Sequence, residues 1–354
     1  MAAKTNRRIV LASRPDGVPT PENFKREDRL IDPLADGQFL VRILFVSVDP
    51  AQRGWISAGT NYSEPVPIGS VMRSLAVGVV EASNNPGIVV GERLYGWFGW
   101  QDYCVAAESA VISKVNPDHG PDSAALGVFG ITGVTAYLAL TEIGCPQPGE
   151  TVLVSTAAGA VGSIVGQIAR HLGCHVVGLT GSDDKVSQCV TKYGYHSALN
   201  YRTALGRSAI AALCPSGIDV YFDNTSGAIA DSVWPSMNTR GRIIRCGTAA
   251  VAAWEPSPMA PRRERDVLTK RLRHEGFVIF DHVKRFPEVI TKLASWVKAG
   301  TVVYSEDIED GLDRAPQALA ALYRGENRGK KIIRIEASPG VREVGARIPT
   351  GTRA

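Results

Sequence analysis

The chain has 354 residues, of which 44% are hydrophobic and 21% charged, and its formal net charge is +4. This length predicts about two domains, and the ordinary composition excludes a disordered chain, a collagen-like repeat and a coiled coil. The positive excess lies in the segment 262–273, which holds six basic and two acidic residues. We expect a solvated helix face there, and so small a net charge does not predict nucleic-acid binding.

The six cysteines are scattered along the chain, and none forms a Cys-x-x-Cys pair or stands at zinc-finger spacing from a histidine. We therefore expect neither a structural zinc site nor disulfide bonds. No apolar run follows the basic residues near the start, and glycines interrupt the most apolar stretch, Leu126–Leu140. These features predict a cytoplasmic protein without a signal peptide or a membrane span.

The first 125 residues resemble an all-β unit, because short apolar, β-branched runs are separated by Gly and Pro. This pattern predicts a small barrel or sandwich. The predicted strands are Phe39–Val48, Ala76–Val80, Arg93–Phe98, Tyr103–Ala107 and Ala110–Val115.

From Thr151 onward, predicted strands alternate with predicted helices, which is typical of an α/β protein with a doubly wound parallel sheet. The predicted strands are Thr151–Thr156, Cys174–Thr180, Asp219–Asp223, Arg242–Cys246 and Phe277–Phe280. The helices between them are predicted at Val161–Leu172, after the capping residue Ser182 as far as Tyr193, and at Ala228–Met237.

A final block follows Pro287, and we expect it to return to the first domain. It holds predicted helices from Pro287 to Lys298 and at Ala315–Tyr323, and predicted strands at Thr301–Ser305 and Lys331–Ile335. The residues 337–354 are rich in Pro, Gly and Arg, so we expect a mobile tail.

The strongest motif is Ala157–Gly162, Ala-Ala-Gly-Ala-Val-Gly, which follows a predicted strand and opens a predicted helix. It matches the dinucleotide-binding pattern G-x-G-x-x-G with Ala in the first position. Gly159 would let the backbone approach a pyrophosphate, and Gly162 would let the helix pack closely on the strand. The same small residues also occur at strand–helix turns for packing alone, but the surrounding strand–helix–strand unit favours a dinucleotide site.

The end of the second strand bears on which dinucleotide binds. NAD-binding proteins usually place an acidic residue there to hold the ribose hydroxyls, but this chain has Leu179–Ser182, which holds none. Lys185 follows at the next turn, and this cation favours the 2′-phosphate of NADP. Asp183 and Asp184 leave NAD as the alternative, although both are also ordinary first-turn helix acids.

At this point the sequence resembles the zinc-independent double-bond reductases of the medium-chain dehydrogenase/reductase superfamily, which include prostaglandin, alkenal and curcumin reductases. The likeness extends from about Asn6 to Ile335. Its motifs are Ser47–Pro50 with Arg53-Gly54, Gly99–Tyr103, Gly130–Tyr137, Ala157–Ser163, Gly181-Ser182 with Lys185, Asn200-Tyr201, Tyr221–Asn224, Gly325–Asn327 and Gly329-Lys330.

The resemblance implies a GroES-like β-barrel domain at 1–126 and 300–336, around a Rossmann NADP-binding domain at 127–299. It also implies NADPH as cofactor, no metal, a homodimer and reduction of the C=C bond of an α,β-unsaturated carbonyl compound. The cofactor-binding residues implied are Thr132, Gly159, Ala160, Val161, Gly162, Lys185, Tyr201, Asn224, Cys246, Gly247, Thr248, Phe277, Val278, Ile279 and Asn327.

The resemblance further implies Tyr62 as the proton or oxyanion donor and as a substrate contact, together with Trp100, Tyr103 and Thr269. An ordinary loop aromatic is the alternative for Tyr62, and barrel core is the alternative for Trp100 and Tyr103. The chain departs from the family at Ala51 and Thr269, where some members carry Tyr, and in the loop Thr248–Arg265.

These departures put the prostaglandin-type and plant-type substrate preferences in doubt. They leave three alternatives to a general enone or enal reductase. The first is a specialised enoyl reductase of a biosynthetic pathway, the second a zinc-free quinone oxidoreductase, and the third a non-catalytic NADPH-binding protein.

Overall fold

The computed structural model describes residues 4–59, 61–251 and 258–335. The predicted mobile tail at 337–354 and part of the atypical loop after Thr248 lie outside these residues. None of the described helices is long and apolar enough to cross a membrane.

The strands of the structure fall into a hairpin and two larger sheets. In chain order they are β1 (Thr5–Leu11), β2 (Phe24–Leu30), β3 (Phe39–Ser47), β4 (Ala76–Ser83), β5 (Arg93–Gly96), β6 (Tyr103–Ala106), β7 (Val111–Lys114), β8 (Thr151–Ser155), β9 (His175–Thr180), β10 (Ser197–Asn200), β11 (Ile218–Asp223), β12 (Met237–Arg245), β13 (Arg273–Gly276), β14 (Glu306–Asp310) and β15 (Lys330–Arg334).

Most of the α-helices lie between the strands of the second half of the chain. In chain order they are α1 (Ala51–Trp55), α2 (Ile131–Leu138), α3 (Ala160–His171), α4 (Asp183–Thr191), α5 (Tyr201–Ala204), α6 (Arg207–Leu213), α7 (Gly227–Val233), α8 (Glu264–Lys270), α9 (Phe286–Lys298) and α10 (Ala315–Arg324).

The parallel sheet has the order β10-β9-β8-β11-β12-β13, so its strands follow the Rossmann order 3-2-1-4-5-6. Its central strand β8 is buried along its whole length, as an internal strand covered by helices on both faces must be. The chain reverses its winding direction between β8 and β11, which pair directly. In such folds the crevice at the carboxyl ends of these two strands is where ligands bind.

The other large sheet has the order β14-β15-β3-β4-β5-β7, with β6 pairing with β3. Its strands come from both ends of the chain, because β15 pairs antiparallel with β3. Aromatic side chains fill its core, and Phe39, Trp55, Phe98 and Trp100 are all buried there. The α/β fold class with a Rossmann sheet and a separate β-domain is therefore confirmed.

Two predicted strands are wrong. The last strand of the parallel sheet is Arg273–Gly276 rather than Phe277–Phe280, and every residue of this edge strand is exposed. The apolar run Phe277–Phe280 leaves the sheet and packs against the core instead. Likewise, the strand near the end is Glu306–Asp310 rather than Thr301–Ser305. In both places the edge strand is polar and the apolar run beside it packs outside the sheet, so hydropathy marks the wrong segment.

Candidate active site

The glycine motif forms the turn between β8 and α3. Thr156 adopts a positive φ of 50°, and the Gly159 amide donates to the Thr156 oxygen at 2.7 Å. A Cβ atom added at Gly162 would collide with that same oxygen. The turn therefore leaves the first amides of α3, at Ala160 and Val161, at an uncovered helix N-terminus, which suits a phosphate group.

Hydrogen bonds connect the carboxyl ends of β8, β11 and β12 at the crevice. The Asn224 backbone amide donates to the Ser155 hydroxyl, and its side-chain Nδ2 donates to the Ser155 oxygen, both at 2.8 Å. The Cys246 amide donates to the Asp223 oxygen at 2.9 Å, and Gly247 sits against the backbone of Asn224. Three adjacent strands thus present Ser155, Asn224 and Cys246 along one edge.

Four more of the predicted cofactor residues, Thr248 and Phe277–Ile279, follow the ends of β12 and β13. Val251 donates its amide to the Thr248 oxygen at 2.8 Å, so Thr248 begins a tight turn beside Asn224. Phe277 keeps one bond to β12, from its amide to the Arg245 oxygen at 3.1 Å. Val278 and Ile279 follow it directly, and Ile279 is buried in the same core as β8. Burial raises the pKa of the Cys246 thiol to about 12, so this side chain is a neutral wall group rather than a nucleophile.

Thr132, at the start of α2, is buried and lines a small cavity with Ala160 and Ser163 of α3. Lys330 closes this cavity from the other sheet and forms a buried ion pair with Asp49. The first turn of α3 therefore faces residues from both parts of the molecule.

A group of cations gathers at the carboxyl ends of β9 and β10. Burial, and then the guanidinium groups of Arg202 and Arg328, lower the pKa of Lys185. The Lys185 Nζ donates to the Gly325 oxygen at 2.7 Å. Asp307 offsets part of the repulsion among the three cations, and the positive charge that remains favours an anionic ligand.

Tyr201 and Asn327 lie beside this cation group. The Tyr201 hydroxyl stands against Gly181, where an added Cβ would lie 2.9 Å from it. Asn327 is half-buried and donates its Nδ2 to the Gly329 oxygen at 2.8 Å. Asp183 is one of the two acidic residues that made NAD the alternative cofactor. Its carboxylate accepts a hydrogen bond from Asn200 Nδ2 at 2.9 Å, so it already has a structural partner.

A second, open cavity of about 640 Å³ lies between the β-domain and the segment after β13. Four of its eleven lining residues are aromatic. The ring centroids of Trp55 and Trp97 are 5.4 Å apart, and those of Trp97 and Phe280 are 5.2 Å apart. Its lining residues are Trp55, Tyr62, Ser63, Glu64, Val71, Arg73, Ser74, Trp97, Gly99, Phe280 and Val283. The cavity has the volume and apolar character of a small-molecule site.

Tyr62 is the tyrosine on the wall of this cavity. Its ring lies 6.4 Å from that of Phe280, across the cleft. The surrounding walls desolvate the phenol and raise its pKa, although the ring is 54% exposed. Tyr62 therefore carries a protonated hydroxyl that is open to a ligand at neutral pH.

The structure places the three other predicted substrate contacts elsewhere. Trp100 is buried in the core of the β-domain, where its indole N–H donates to the Ser47 oxygen at 3.1 Å. Tyr103 is buried on β6 under the Lys4 ammonium group. Thr269 lies on the outer face of α8 and donates its hydroxyl to the Arg265 oxygen at 2.8 Å. Of the four residues, the open cavity contains only Tyr62.

Sequence reasoning missed Trp55, Trp97, Arg73 and Phe280, which form much of the cavity wall. None of them belongs to a local chemical motif, and the apolar run that contains Phe280 predicts a strand rather than a cavity wall. The dipeptide Gly-Trp occurs twice in Gly96–Trp100 and marks this segment as unusual, but the sequence does not show which tryptophan faces the cleft.

All six cysteines are free. Across residues 4–59, 61–251 and 258–335, no three or more His, Cys, Asp or Glu side chains are grouped in a way that could hold a metal ion.

Comparison with known proteins gives two family matches. Residues 7–114 match the N-terminal domain of oxidoreductase, and residues 160–295 match a model described as zinc-binding dehydrogenase. The chain is 39% identical over 337 residues to the NADPH-dependent curcumin reductase of Escherichia coli, covering 93% of this chain and 97% of that protein.

Two further relatives agree with these matches. The NADP(+)-dependent 2-alkenal reductase of Nicotiana tabacum is 34% identical, covering 94% of this chain and 98% of that protein. The crystal structure of CurA from Vibrio vulnificus in complex with NADPH superposes with a TM-score of 0.87 at 38% identity, covering 94% of this chain and 100% of that one.

Proposed function

Because this chain belongs to the double-bond reductase family of the medium-chain dehydrogenases/reductases, we propose that it reduces the C=C bond of α,β-unsaturated carbonyl compounds with NADPH. The observation that carries the proposal is the open cavity with Tyr62 on its wall. Tyr62 lies near Cys246, at the strand ends that would hold the dinucleotide. The substrate would lie in this cavity, with its carbonyl oxygen toward Tyr62.

The described residues fit NADPH. The N-terminus of α3 after Gly159 would receive the pyrophosphate, since a side chain at Gly162 would prevent the close approach of helix and strand. Lys185 and Tyr201 would hold the 2′-phosphate, whose negative charge offsets the repulsion among Lys185, Arg202 and Arg328. Asn224 and Cys246–Thr248 would border the nicotinamide, together with Phe277–Ile279. NADPH, when bound, supplies a hydride.

Tyr62 acts on the substrate oxygen. When the β-carbon of the substrate accepts a hydride, negative charge develops on the carbonyl oxygen, and a donor aimed at that oxygen lowers the barrier. The Tyr62 hydroxyl is that donor, because a phenol is protonated at neutral pH and burial raises its pKa further. The α-carbon then takes a proton from the phenol or from water, which completes the saturated product.

Trp55, Trp97 and Phe280 surround the reacting groups with apolar surface. This surface excludes bulk water and strengthens the hydrogen bond from Tyr62. The phenol and the protein's own dipoles therefore stabilise the negative charge on the carbonyl oxygen, as a Lewis acid does in other dehydrogenases. We propose that the reaction needs no metal.

We also propose a cytoplasmic homodimer. The edge strand β13 is exposed at all four residues, and α8 beside it presents Leu268, which is 76% exposed. An exposed strand edge with apolar neighbours favours pairing with a second copy. The domain division into 1–126 with 300–336 and 127–299 stays a proposal, which the pairing of β15 with β3 supports.

The test of the function is the Tyr62→Phe variant. With an aryl butenone and NADPH, we expect kcat to fall about 100-fold, since the oxyanion loses its donor. The dissociation constant for NADPH should not change. Tyr103→Phe is the matched control, because Tyr103 is buried outside the cavity, and it should keep the wild-type rate. A wild-type kcat in Tyr62→Phe would contradict the assigned role.

A further inference from the structure

One cation in the wall of the aromatic cavity forms no ion pair with a carboxylate of residues 4–59, 61–251 and 258–335. Arg73 lines the cavity and is half-buried. Its Nη1 donates to the Glu64 backbone oxygen at 2.8 Å and to the Ser63 hydroxyl at 3.2 Å. Both bonds use the same nitrogen. Among the described residues, no acceptor is bonded to Nε or Nη2.

A guanidinium group carries five N–H donors in a planar fork that matches a carboxylate in two parallel bonds. The edge of Arg73 formed by Nε and Nη2 is such a fork, and nothing in the described protein fills it. Burial lowers the pKa of Arg73, so the charge lacks full hydration, yet arginine stays protonated at neutral pH. A partly desolvated cation without a counter-ion favours an anionic ligand.

The position of Arg73 is fixed independently of any ligand. Gln52 is completely buried and donates its side-chain amide to the Arg73 oxygen at 3.1 Å. The two bonds from Nη1 hold the guanidinium against the loop 61–66. The cation therefore needs little reorganisation on binding, which favours affinity and specificity.

Glu64 is the other charged residue of the cavity wall. Its carboxylate raises the pKa of Arg73, but the two side chains, both in the described part of the chain, form no ion pair. The side chain is exposed, so it is free to turn toward solvent. The Arg73 guanidinium can therefore pair with an anionic ligand.

We propose that the cavity selects α,β-unsaturated carbonyl compounds that carry a carboxylate at the end remote from the double bond, and that Arg73 binds this carboxylate. The inference rests on the proposed function and adds a substrate class to it. Tyr62 and Arg73 would then hold the two ends of one molecule, and the aromatic wall between them would pack on its hydrocarbon part.

The experiment compares a 2-enal bearing a terminal carboxylate with its methyl ester, for a short, a medium and a long spacer. The readout is the ratio of kcat/KM for the acid to that for the ester. We expect the wild-type protein to favour the acid at one spacer length. Arg73→Gln should lower that ratio about tenfold or more, through KM of the acid, because a charged hydrogen-bond pair is lost.

The matched control is Arg14→Gln. Arg14 holds the same region, donating to the oxygens of Ile56, Ser57 and Val66, but it does not line the cavity. Its variant should keep the wild-type ratio. Arg73→Lys, which keeps the charge but loses the fork, should give an intermediate ratio.

Either an equal rate for acid and ester in the wild-type protein or a preference that survives Arg73→Gln would overturn the inference while leaving the reductase activity intact. Failure to reduce either compound would instead contradict the proposed function. If Arg73→Gln does not fold, inhibition of the wild-type protein by the saturated acid and its ester decides, and equal inhibition by both would sink the proposal.

Discussion

Lys185 of α4 reaches across to the segment after α10, where its Nζ lies 2.7 Å from the backbone oxygen of Gly325. This bond joins the parallel sheet to the C-terminal part of the chain at the point where Arg202 and Arg328 also gather. The Lys185 ammonium group is therefore held in place before any ligand binds, as the proposed 2′-phosphate site requires.

Replacing Lys185 by Ala should raise KM for NADPH about tenfold to 100-fold, because a charge-assisted bond to phosphate is lost. The value for NADH, which has no 2′-phosphate, should change little. Steady-state kinetics with both cofactors measures the shift. Lys298→Ala removes an exposed lysine of α9 and should leave both values as they are. An equal rise in KM for both cofactors would show that Lys185 does not bind the 2′-phosphate.

Gly162→Ala should weaken both the fold and cofactor binding. The new methyl group would meet the Thr156 oxygen, which the backbone holds in place, so we expect a cost of about 1–3 kcal/mol in the free energy of unfolding. Urea denaturation and fluorescence titration with NADPH measure the two effects. Gly206→Ala is the control, since nothing lies within 4 Å of the added atom there. Unchanged stability and binding in Gly162→Ala would mean that the helix can shift away.

The nucleotide-binding half could be predicted from local sequence. The motif Ala157–Gly162 and the strand–helix alternation are short-range signals, and the structure has β8 and α3 within one or two residues of the prediction. The cap at Ser182 is also confirmed, since its hydroxyl accepts the Lys185 amide at 3.4 Å.

The substrate cavity could not be predicted in the same way. Its walls come from α1, the loop 61–66, the segments 71–74 and 97–99, and the 3-10 helix after β13. Only the tertiary fold brings these together. The sequence does not distinguish a buried aromatic residue such as Trp100 from one in the cleft such as Trp97. The charged hairpin β1–β2 was also missed, because its β2 strand is mostly exposed and carries no apolar alternation.

The buried pair of Lys330 and Asp49 ties β15 to the end of β3. Lys330 is only 4% exposed, so Lys330→Met, which leaves the carboxylate without its partner, should lower the free energy of unfolding by about 3–5 kcal/mol. The double variant Lys330→Met/Asp49→Leu should recover most of this loss.

Arg334→Met provides the comparison, because its ion pair with Asp310 is exposed on both sides and should contribute less than about 1 kcal/mol. Urea denaturation gives all four values, including the wild type. Equal losses in Lys330→Met and Arg334→Met would contradict the importance of burial.

His196 should make stability depend on pH. Burial, the stacked His175 and Arg170 lower its pKa below the ordinary value, and its Nδ1 accepts the Val176 amide at 2.9 Å. The unfolded chain therefore binds a proton at a higher pH than the folded protein does. Neutral His196 therefore contributes to the free energy of unfolding above the pKa of the unfolded chain, and this contribution is lost as the pH falls from about 7 to 5.

His196→Asn keeps an acceptor near the Val176 amide but does not titrate. Thermal denaturation across this pH range should show a smaller decline for the variant than for the wild type. Parallel profiles would show that another group causes the decline.

The most direct test of the function follows the hydrogen that enters the substrate. The wild-type protein is incubated with an aryl butenone and NADPH that carries deuterium on the transferred position of C4, and the product is examined by NMR. We predict a saturated ketone with deuterium on the β-carbon. An allylic alcohol with deuterium on the former carbonyl carbon, or consumption of NADPH only when a quinone is supplied, would contradict the assignment.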